Sequence, residues 1–287
     1  MATRFAVVGT GWRSQFFLRL ARALPGHLEV TGVATRSAAR AELVATSWQV
    51  RAVTSLDALL ATEPELVALA VPWEEMPRLV RELVRRGVRV PVETPPAPDL
   101  AGLRSLWADV GGSGRVQVAE QYLLMPGHAA RLEVVRSGVI GTPTHIQVCS
   151  THMYHAVSLV RGLLDVPPGP VRVVARELLA PLADPLTKDG WRGDAEPRPA
   201  RRTLAVLELG EGRSGLYDFT DNQWWNPLLG RRIHVRGTAG EINDDAVTHL
   251  LDPLTPITSH LEHRRASVDL NLEGVDLRTI AFEGRVR

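Results

Sequence analysis

Phe5-Ala6-Val7-Val8-Gly9-Thr10-Gly11-Trp12-Arg13-Ser14, continued by Gln15-Phe16-Phe17-Leu18-Arg19-Leu20-Ala21, is the stretch that decides the fold. An apolar run, a Gly-x-Gly turn and an amphipathic run follow one another without a gap, the order of strand, tight turn and helix that holds a dinucleotide. Gly9 permits the turn, and Gly11 lets the backbone approach a pyrophosphate lying at the positive end of the helix. Phe17, Leu20, Ala21 and Leu24 recur at i, i+3, i+4 and i+7, so this face is expected to pack on the sheet. Ser14 takes the place of the third glycine, and its small side chain is expected to keep helix and strand close. The same turn also occurs in doubly wound domains that bind no nucleotide.

Working outward, strands and helices alternate over the first 120 residues. Strands are expected at 28–34, 66–71, 88–92 and 116–119, and helices at 38–46, 56–61, 74–86 and 100–110. The run Leu66-Val67-Ala68-Leu69-Ala70-Val71 is apolar throughout, as in a parallel strand buried on both faces. In the helix of residues 74–86, Leu79, Val80, Leu83 and Val84 form the apolar face, and Gly87 is a natural stop. Repeated βα units of this length imply a doubly wound parallel sheet.

From residue 121 the pattern changes. One helix over 129–137 precedes strand-like runs at 144–150, 171–177, 204–209, 215–220, 232–236 and 275–282, with glycine turns between several of them. A helix follows His155, with Val157, Val160, Leu163 and Leu164 as its apolar face. The fold class is therefore α/β, an N-terminal doubly wound parallel sheet followed by an α+β domain with a largely antiparallel sheet packed against helices. The domains are placed at 1–120 and 121–287. The Pro/Gly-rich segments 165–170 and 183–199 read as loops, the second long enough for a lid or a mobile insertion.

Composition narrows the function. Of the 287 residues, 45% are hydrophobic and 23% charged, and the net charge of +1 provides no electrostatic case for nucleic acid or an acidic membrane as partner. Cys149 is the sole cysteine, which excludes an internal disulfide and a thiolate metal cluster. With no long apolar run and no visible signal peptide, the expected location is cytoplasmic. Lys188 is the only lysine, so a mechanism that needs a lysine acid or base must use it.

Four further places carry candidate chemistry. After the second strand, Thr35-Arg36-Ser37 stands where a carboxylate would hold a ribose 2′-hydroxyl, and Arg36 suits a 2′-phosphate. This favours NADP over NAD, with NAD kept open and a solvated loop arginine as the plain alternative. Glu93-Thr94-Pro95-Pro96 ends a parallel strand, the edge where open α/β sheets place ligands. His152 and His155 lie three residues apart at a helix start, where one imidazole suits acid–base work near neutrality. No third ligand is near them in sequence, so no metal is expected. A hydrogen-bonded core histidine is the alternative for His152. Asp221, Asn222 and Trp224, in Asp218–Trp225, suit a polyhydroxylated ligand or, for the tryptophans, ordinary packing.

Taken in order, the Gly9–Ser14 turn, Glu93-Thr94-Pro95, Glu120-Gln121-Tyr122, Gly138–Gly141 and the His155 helix resemble the Gfo/Idh/MocA oxidoreductases, over most of the chain. The resemblance implies a Rossmann domain, a second α/β domain whose large, mostly antiparallel open sheet makes a homo-dimer or homo-tetramer, and hydride transfer between NAD(P) and a sugar or cyclitol carbon. It implies cofactor contacts from Gly9, Gly11, Trp12, Arg13, Thr35, Arg36, Ser37, Pro72, Glu93 and Gln121. His155 matches the family's catalytic histidine, with Tyr122 as a further proton partner and His152, Tyr154, Asp221, Asn222 and Trp224 toward substrate. Two departures bear on chemistry: Thr94 replaces the motif lysine, and Thr151 replaces an aspartate one turn before His155. Cofactor-retaining elimination or epimerisation, and a catalytically silent nucleotide- or sugar-binding homologue, are the alternatives. Relatives usually continue with further helices beyond the position of Arg287.

Overall fold

A computed structural model describes residues 1–187, 190–265, 278–283 and 285–286. Among these, residues 1–120 form one compact unit and residues 121–265 with 278–286 another.

The first unit alternates β1 (Thr3–Val8), α1 (Trp12–Ala23), β2 (Leu28–Ala34), α2 (Ala38–Trp48), β3 (Ala52–Val53), α3 (Leu56–Leu60), β4 (Leu66–Leu69), α4 (Met76–Arg85), β5 (Val90–Val92), α5 (Leu100–Val110) and β6 (Val116–Val118). Its six strands are all parallel, in the order β3-β2-β1-β4-β5-β6. Strand order reverses between β1 and β4, which opens a crevice at their C-terminal ends. On α4 the apolar period is kept: Met76, Leu79, Val80 and Leu83 are buried, whereas Val84 lies at the margin. On α1 the expected face is rotated. Ser14, Leu18 and Ala21 are buried, while Phe17, Leu20 and Leu24 are half-buried. The small Ser14 lets this helix settle closely on the sheet, and that contact rather than the bulkiest residues sets its rotation.

In the second unit, α6 (Pro126–Arg136), β7 (Pro143–Cys149) and α7 (Met153–Leu164) precede a run of strands. These are β8 (Arg172–Ala183), β9 (Leu186–Thr187), β10 (Gly190–Trp191), β11 (Pro197–Gly210), β12 (Arg213–Thr220), β13 (Arg232–Gly237), β14 (Gly240–Asn243), β15 (Ala246–Asp252), β16 (Thr255–His260), β17 (Glu262–Arg265), β18 (Arg278–Phe282) and β19 (Arg285–Val286). Seven of them and β7 form an eight-stranded sheet in the order β16-β15-β14-β13-β7-β12-β11-β8, antiparallel except for β7 with β12. Strand alternation gives the sheet two unlike faces. Ile146, Val148, Ile233, Val235, Ile242 and Val247 share a buried core with Ala156, Leu159, Val160 and Leu163 of α7. Val157 is 43% exposed, so the buried face of α7 lies one position to the side of the expected one.

The described residues of the segment 183–199 include strand as well as loop. β8 and β11 continue over both its ends, pairing Ala183 with Pro197, and β9 pairs with β10 between them. Prolines here sit in an edge ladder, where a missing N–H costs little. Strands β14 to β16 escaped the sequence reading because Gly, Asn, Asp and Thr interrupt their alternation. Lys188 and the start of the expected strand 275–282 lie outside the described residues.

A partly exposed ion network around the largely buried Arg131 guanidinium ties α6 to the sheet. Arg131 donates from Nε to the Asp244 carbonyl (2.7 Å) and from Nη2 to Asp245 (2.9 Å), and His263 reaches the same carboxylate at 3.0 Å. Beside Arg131 lies His128, 9% exposed, whose pKa is pushed down to about 4 by burial and then by the Arg131 charge. The unfolded chain takes up this proton near pH 6.5 and the folded chain only near 4, so stability is lost as pH falls through that window. For His128 alone the loss between pH 7 and pH 5 is about 2 kcal/mol. Urea unfolding of His128→Asn at both pH values is expected to show a smaller acid loss than wild type by about that amount; an unchanged difference would refute the assignment.

Candidate functional site

The cofactor crevice is built from the Gly9 turn. Gly9 has φ +118°, and a Cβ there would lie 2.2 Å from the Ala70 carbonyl oxygen, so only glycine fits. Gly11 caps α1 in extended conformation with no side-chain cap, and a Cβ on it would meet nothing within 4 Å. The first turn of α1 carries no acidic residue, leaving its N-terminal amides and their positive potential unopposed. In front of this turn is a cavity of about 740 Å³. These features fit a dinucleotide: a turn no side chain can block, open space over the second glycine, and helix N–H groups for the pyrophosphate.

Of the expected cofactor residues, Gly9, Gly11, Trp12, Arg13, Thr35, Arg36, Pro72 and Glu93 line this cavity, as does Thr94. Ser37 instead caps α2, its Oγ accepting from the Arg40 amide at 3.3 Å. Gln121 belongs to the second unit and does not line this cavity. Thr54, Ser55, Asp57, Arg78, Glu82 and Arg86, which also line it, were not expected. Only Ser55 carried a local signal, as the N-cap of α3 (3.2 Å to the Ala58 amide).

Four arginines face the cavity, and the fold has committed three. Arg13 pairs with Glu93 at 3.2 Å; Arg78 pairs with Glu75 at 3.0 Å and Glu82 at 3.3 Å; Arg86 pairs with Asp57 and with Glu82 at 2.7 Å. Arg36 has neither a hydrogen bond nor an ion pair among the described residues. Burial raises the Glu93 pKa above the usual carboxylate value, outweighing Arg13 and the Thr94 amide, which pull it down. The Thr94–Pro95 bond is cis.

The second unit gathers an aromatic and imidazole cluster where β7 runs into α7. His152 is the N-cap of α7, and Met153 follows at φ +42°, its amide donating to the Tyr217 hydroxyl at 3.2 Å. The His152 ring stands edge-on to Trp224, with centroids 4.2 Å apart, and 5.1 Å from His155. His155 is 6% exposed, with Tyr122 and Tyr154 each 4.5 Å away. Ser150 Oγ, Thr151 Oγ1 and His152 Nδ1 are buried without a protein partner. Burial, and then the neighbouring His155, push the His152 pKa down to about 4 against the pull of Asp221. His152 is thus neutral at pH 7 and offers a ring nitrogen as acceptor.

Five expected residues therefore meet here: Tyr122, His152, Tyr154, His155 and Trp224. Asp221, whose charge acts on His152, and Asn222 also hold neighbouring segments. Asp221 pairs with Arg201 at 3.1 Å, and Asn222 donates to Asp184 at 2.7 Å and to the Leu186 carbonyl at 3.1 Å. Gln223, 3% exposed, was not singled out, yet it positions the Trp224 turn. Its amide donates to the Cys149 and Gly230 carbonyls (2.9 and 2.7 Å) and accepts from the Thr220 amide (3.0 Å). No group of three or more metal-ligating side chains gathers among the described residues.

Residues 3–120 match the GFO_IDH_MocA model, described as an oxidoreductase family with an NAD-binding Rossmann fold. The first unit belongs to the Gfo/Idh/MocA family. Solved structures share the fold across both units. An NAD-binding oxidoreductase from Klebsiella pneumoniae aligns with TM-score 0.68 and 14% identity, over 91% of this chain and 80% of its own. The WlbA dehydrogenase of Chromobacterium violaceum, in complex with NADH and UDP-GlcNAcA, aligns with TM-score 0.62 and 16% identity, over 84% and 73%. The UDP-N-acetylglucosamine 3-dehydrogenase GnnA of Acidithiobacillus ferrooxidans aligns with TM-score 0.65 and 18% identity, over 94% and 86%. No curated protein matches the chain. No helix among the described residues is long and apolar enough to cross a membrane.

The two glycines are expected to separate in experiment. Gly9→Ala forces a side chain against backbone at positive φ and should cost about 1–3 kcal/mol as well as dinucleotide binding. Gly11→Ala, facing open space, should leave the melting temperature near wild type while weakening NADH and NADPH binding. Thermal melts with dinucleotide titration check both; a Gly11→Ala variant that binds normally would move the pyrophosphate elsewhere.

Proposed function

We propose that the protein is an NADP(H)-dependent oxidoreductase that moves a hydride between the nicotinamide and an alcohol or ketone of a carbohydrate-like substrate. One observation carries the cofactor preference: Arg36 is the cavity arginine left without a carboxylate partner. A dinucleotide without a 2′-phosphate offers hydroxyls and no charge at its adenosine ribose, its two charges being on the pyrophosphate. Bound nicotinamide would supply the hydride acceptor or donor. Gly9, Gly11 and the α1 amides would hold the pyrophosphate. Neutral His152 offers an acceptor for a substrate hydroxyl beside the Trp224 face, and His155, packed on Tyr122, is the proposed proton partner. The sugar-nucleotide dehydrogenases among the structural neighbours support a carbohydrate-like substrate. A buried free thiol at Cys149 suits a reducing, cytoplasmic setting.

Thr94 favours a second reading, in which nucleotide is bound but net oxidation or reduction is absent. Its hydroxyl does not titrate near neutrality and cannot act as a lysine would. Calorimetry with NADPH and NADH distinguishes the cases. NADPH is expected to bind more tightly, Arg36→Gln should lose about tenfold for NADPH with NADH unchanged, and sugar-nucleotide alcohols should then be oxidised with net cofactor turnover. Failure to bind either dinucleotide overturns the proposal; binding without net turnover favours the second reading.

The open face of the large sheet is the proposed homo-oligomer surface. Val174, Val206 and Leu216 stand in register across β8, β11 and β12, on the face away from α7; Val174 is 51% and Val206 45% exposed. The double variant Val174→Lys/Val206→Lys should shift a dimer or tetramer to monomer in sedimentation while retaining its circular dichroism. A wild-type monomer would remove this element of the proposal.

A further inference from the structure

A hollow of about 270 Å³ lies in the second unit, on the face of the large sheet away from α7 and beside the turn that joins β12 to β13. It backs onto the histidine cluster. Asp218 and Thr220 face the hollow, while Phe219 between them packs against His152 and Trp224 on the other side of the sheet. Asp218, 7% exposed, holds Arg202 in a fork, accepting from Nε at 2.7 Å and from Nη2 at 2.6 Å. A buried carboxylate thus fixes the plane of that guanidinium and leaves Nη1 as its free edge among the described residues. Arg232 also lines the hollow, and its side chain has neither a hydrogen bond nor an ion pair among the described residues. The Thr220 hydroxyl is likewise without a partner among them. Arg202 and Asp218 cancel in charge, so Arg232 leaves one positive charge unanswered. Ala180, Leu182, Ala200 and Leu229 supply an apolar wall. The volume corresponds to about nine waters, room for a single ring or a short chain bearing one anionic group.

We propose that this hollow binds a small organic carboxylate. Its anionic group is held by Arg232, the Nη1 edge of Arg202 and the Thr220 hydroxyl, and its apolar body lies against Ala200 and Leu229. A carboxylate matches the planar donors of a guanidinium and balances the single charge, whereas a phosphate monoester brings about −1.5 to −2 against it. Ala180 and Ala200 are about 20 Å along β8 and β11 from Val174 and Val206, so the hollow is distinct from the proposed oligomer surface. The dinucleotide cavity belongs to the first unit, and the inference does not depend on the cofactor reading. An occupant touches Thr220 and Gln223, which set the Trp224 turn, so the site is placed to act on the histidine cluster from behind.

Calorimetry of the full chain with benzoate, and with benzyl alcohol as the uncharged ring, tests the site. Benzoate is expected to bind, and benzyl alcohol to bind about tenfold more weakly or not at all. Arg232→Gln, at an exposed position, is expected to weaken benzoate about tenfold with an unchanged melting temperature. Cys149, the sole cysteine, lines the hollow and reports its occupancy: benzoate should slow alkylation by N-ethylmaleimide in wild type and not in Arg232→Gln. The calorimetric arms decide the question even if the thiol does not react. Absence of benzoate binding, equal binding of benzyl alcohol, or benzoate binding that survives Arg232→Gln each overturns the inference. Protection of Cys149 that rises with protein concentration and ignores benzoate also overturns it, and gives the hollow to a side chain of a second copy. NADPH binding is measured separately, so the cofactor reading stands or falls on its own.

Discussion

Contact between the Gly9 backbone and the Ala70 carbonyl is the constraint on which the first unit turns. β1 lies at the centre of the sheet with β2 on one side and β4 on the other, so the chain leaves its C-terminal end where the strand order reverses. A side chain at Gly9 would strike the end of β4, and the turn that launches α1 would have to open. Because all six strands are parallel, the loops after β1, β2, β3, β4 and β5 emerge along this same edge. They bring Arg13, Arg36, Asp57, Pro72 and Glu93 around one cavity. A close approach of two backbones thus places a site whose side chains come from across 80 residues of sequence.

Charge around that cavity is apportioned by tertiary pairing. Asp57, Glu75, Glu82 and Glu93 occupy Arg13, Arg78 and Arg86, and each partnership holds a loop or helix end in place. In the second unit the balance is different. Its histidine cluster is packed ring on ring, and burial keeps His152 uncharged in neutral solution. A neutral imidazole beside an indole suits a ligand rich in hydroxyls better than one that brings net charge.

Apart from the two-residue β3, the strands and helices of the first unit were legible because each carries its own signal, such as a continuous apolar run for β4 or a Gly stop after α4. The rotation of α1 was not, since Phe17 and Leu20 are more apolar than Ser14, and only the room available beneath the helix makes the smallest residue the buried one. The second unit was read less well. Strands β14–β16, at one end of the sheet, and the ends of β8 and β11 contain residues that favour turns, and they are strands because a neighbouring ladder takes up their backbone groups. The candidate histidines and Trp224 were visible as residue types, but the contacts of Asp221 with Arg201 and of Asn222 with Asp184 were not, because the partners lie 20 and 38 residues away.

By itself the sequence determined the glycine turn, the alternation of strand and helix, the absence of a lysine at the Glu93-Thr94-Pro95 motif and the supply of histidines before α7. These are local properties, set by steric freedom at one residue or by the period of a few turns. Only the tertiary structure decided which arginines remain uncommitted, which polar atoms are buried without partners and which imidazole burial keeps neutral. Pairing and desolvation depend on groups distant in the chain, such as Arg86 with Asp57 or His152 with Trp224, and no window of sequence contains both partners' surroundings.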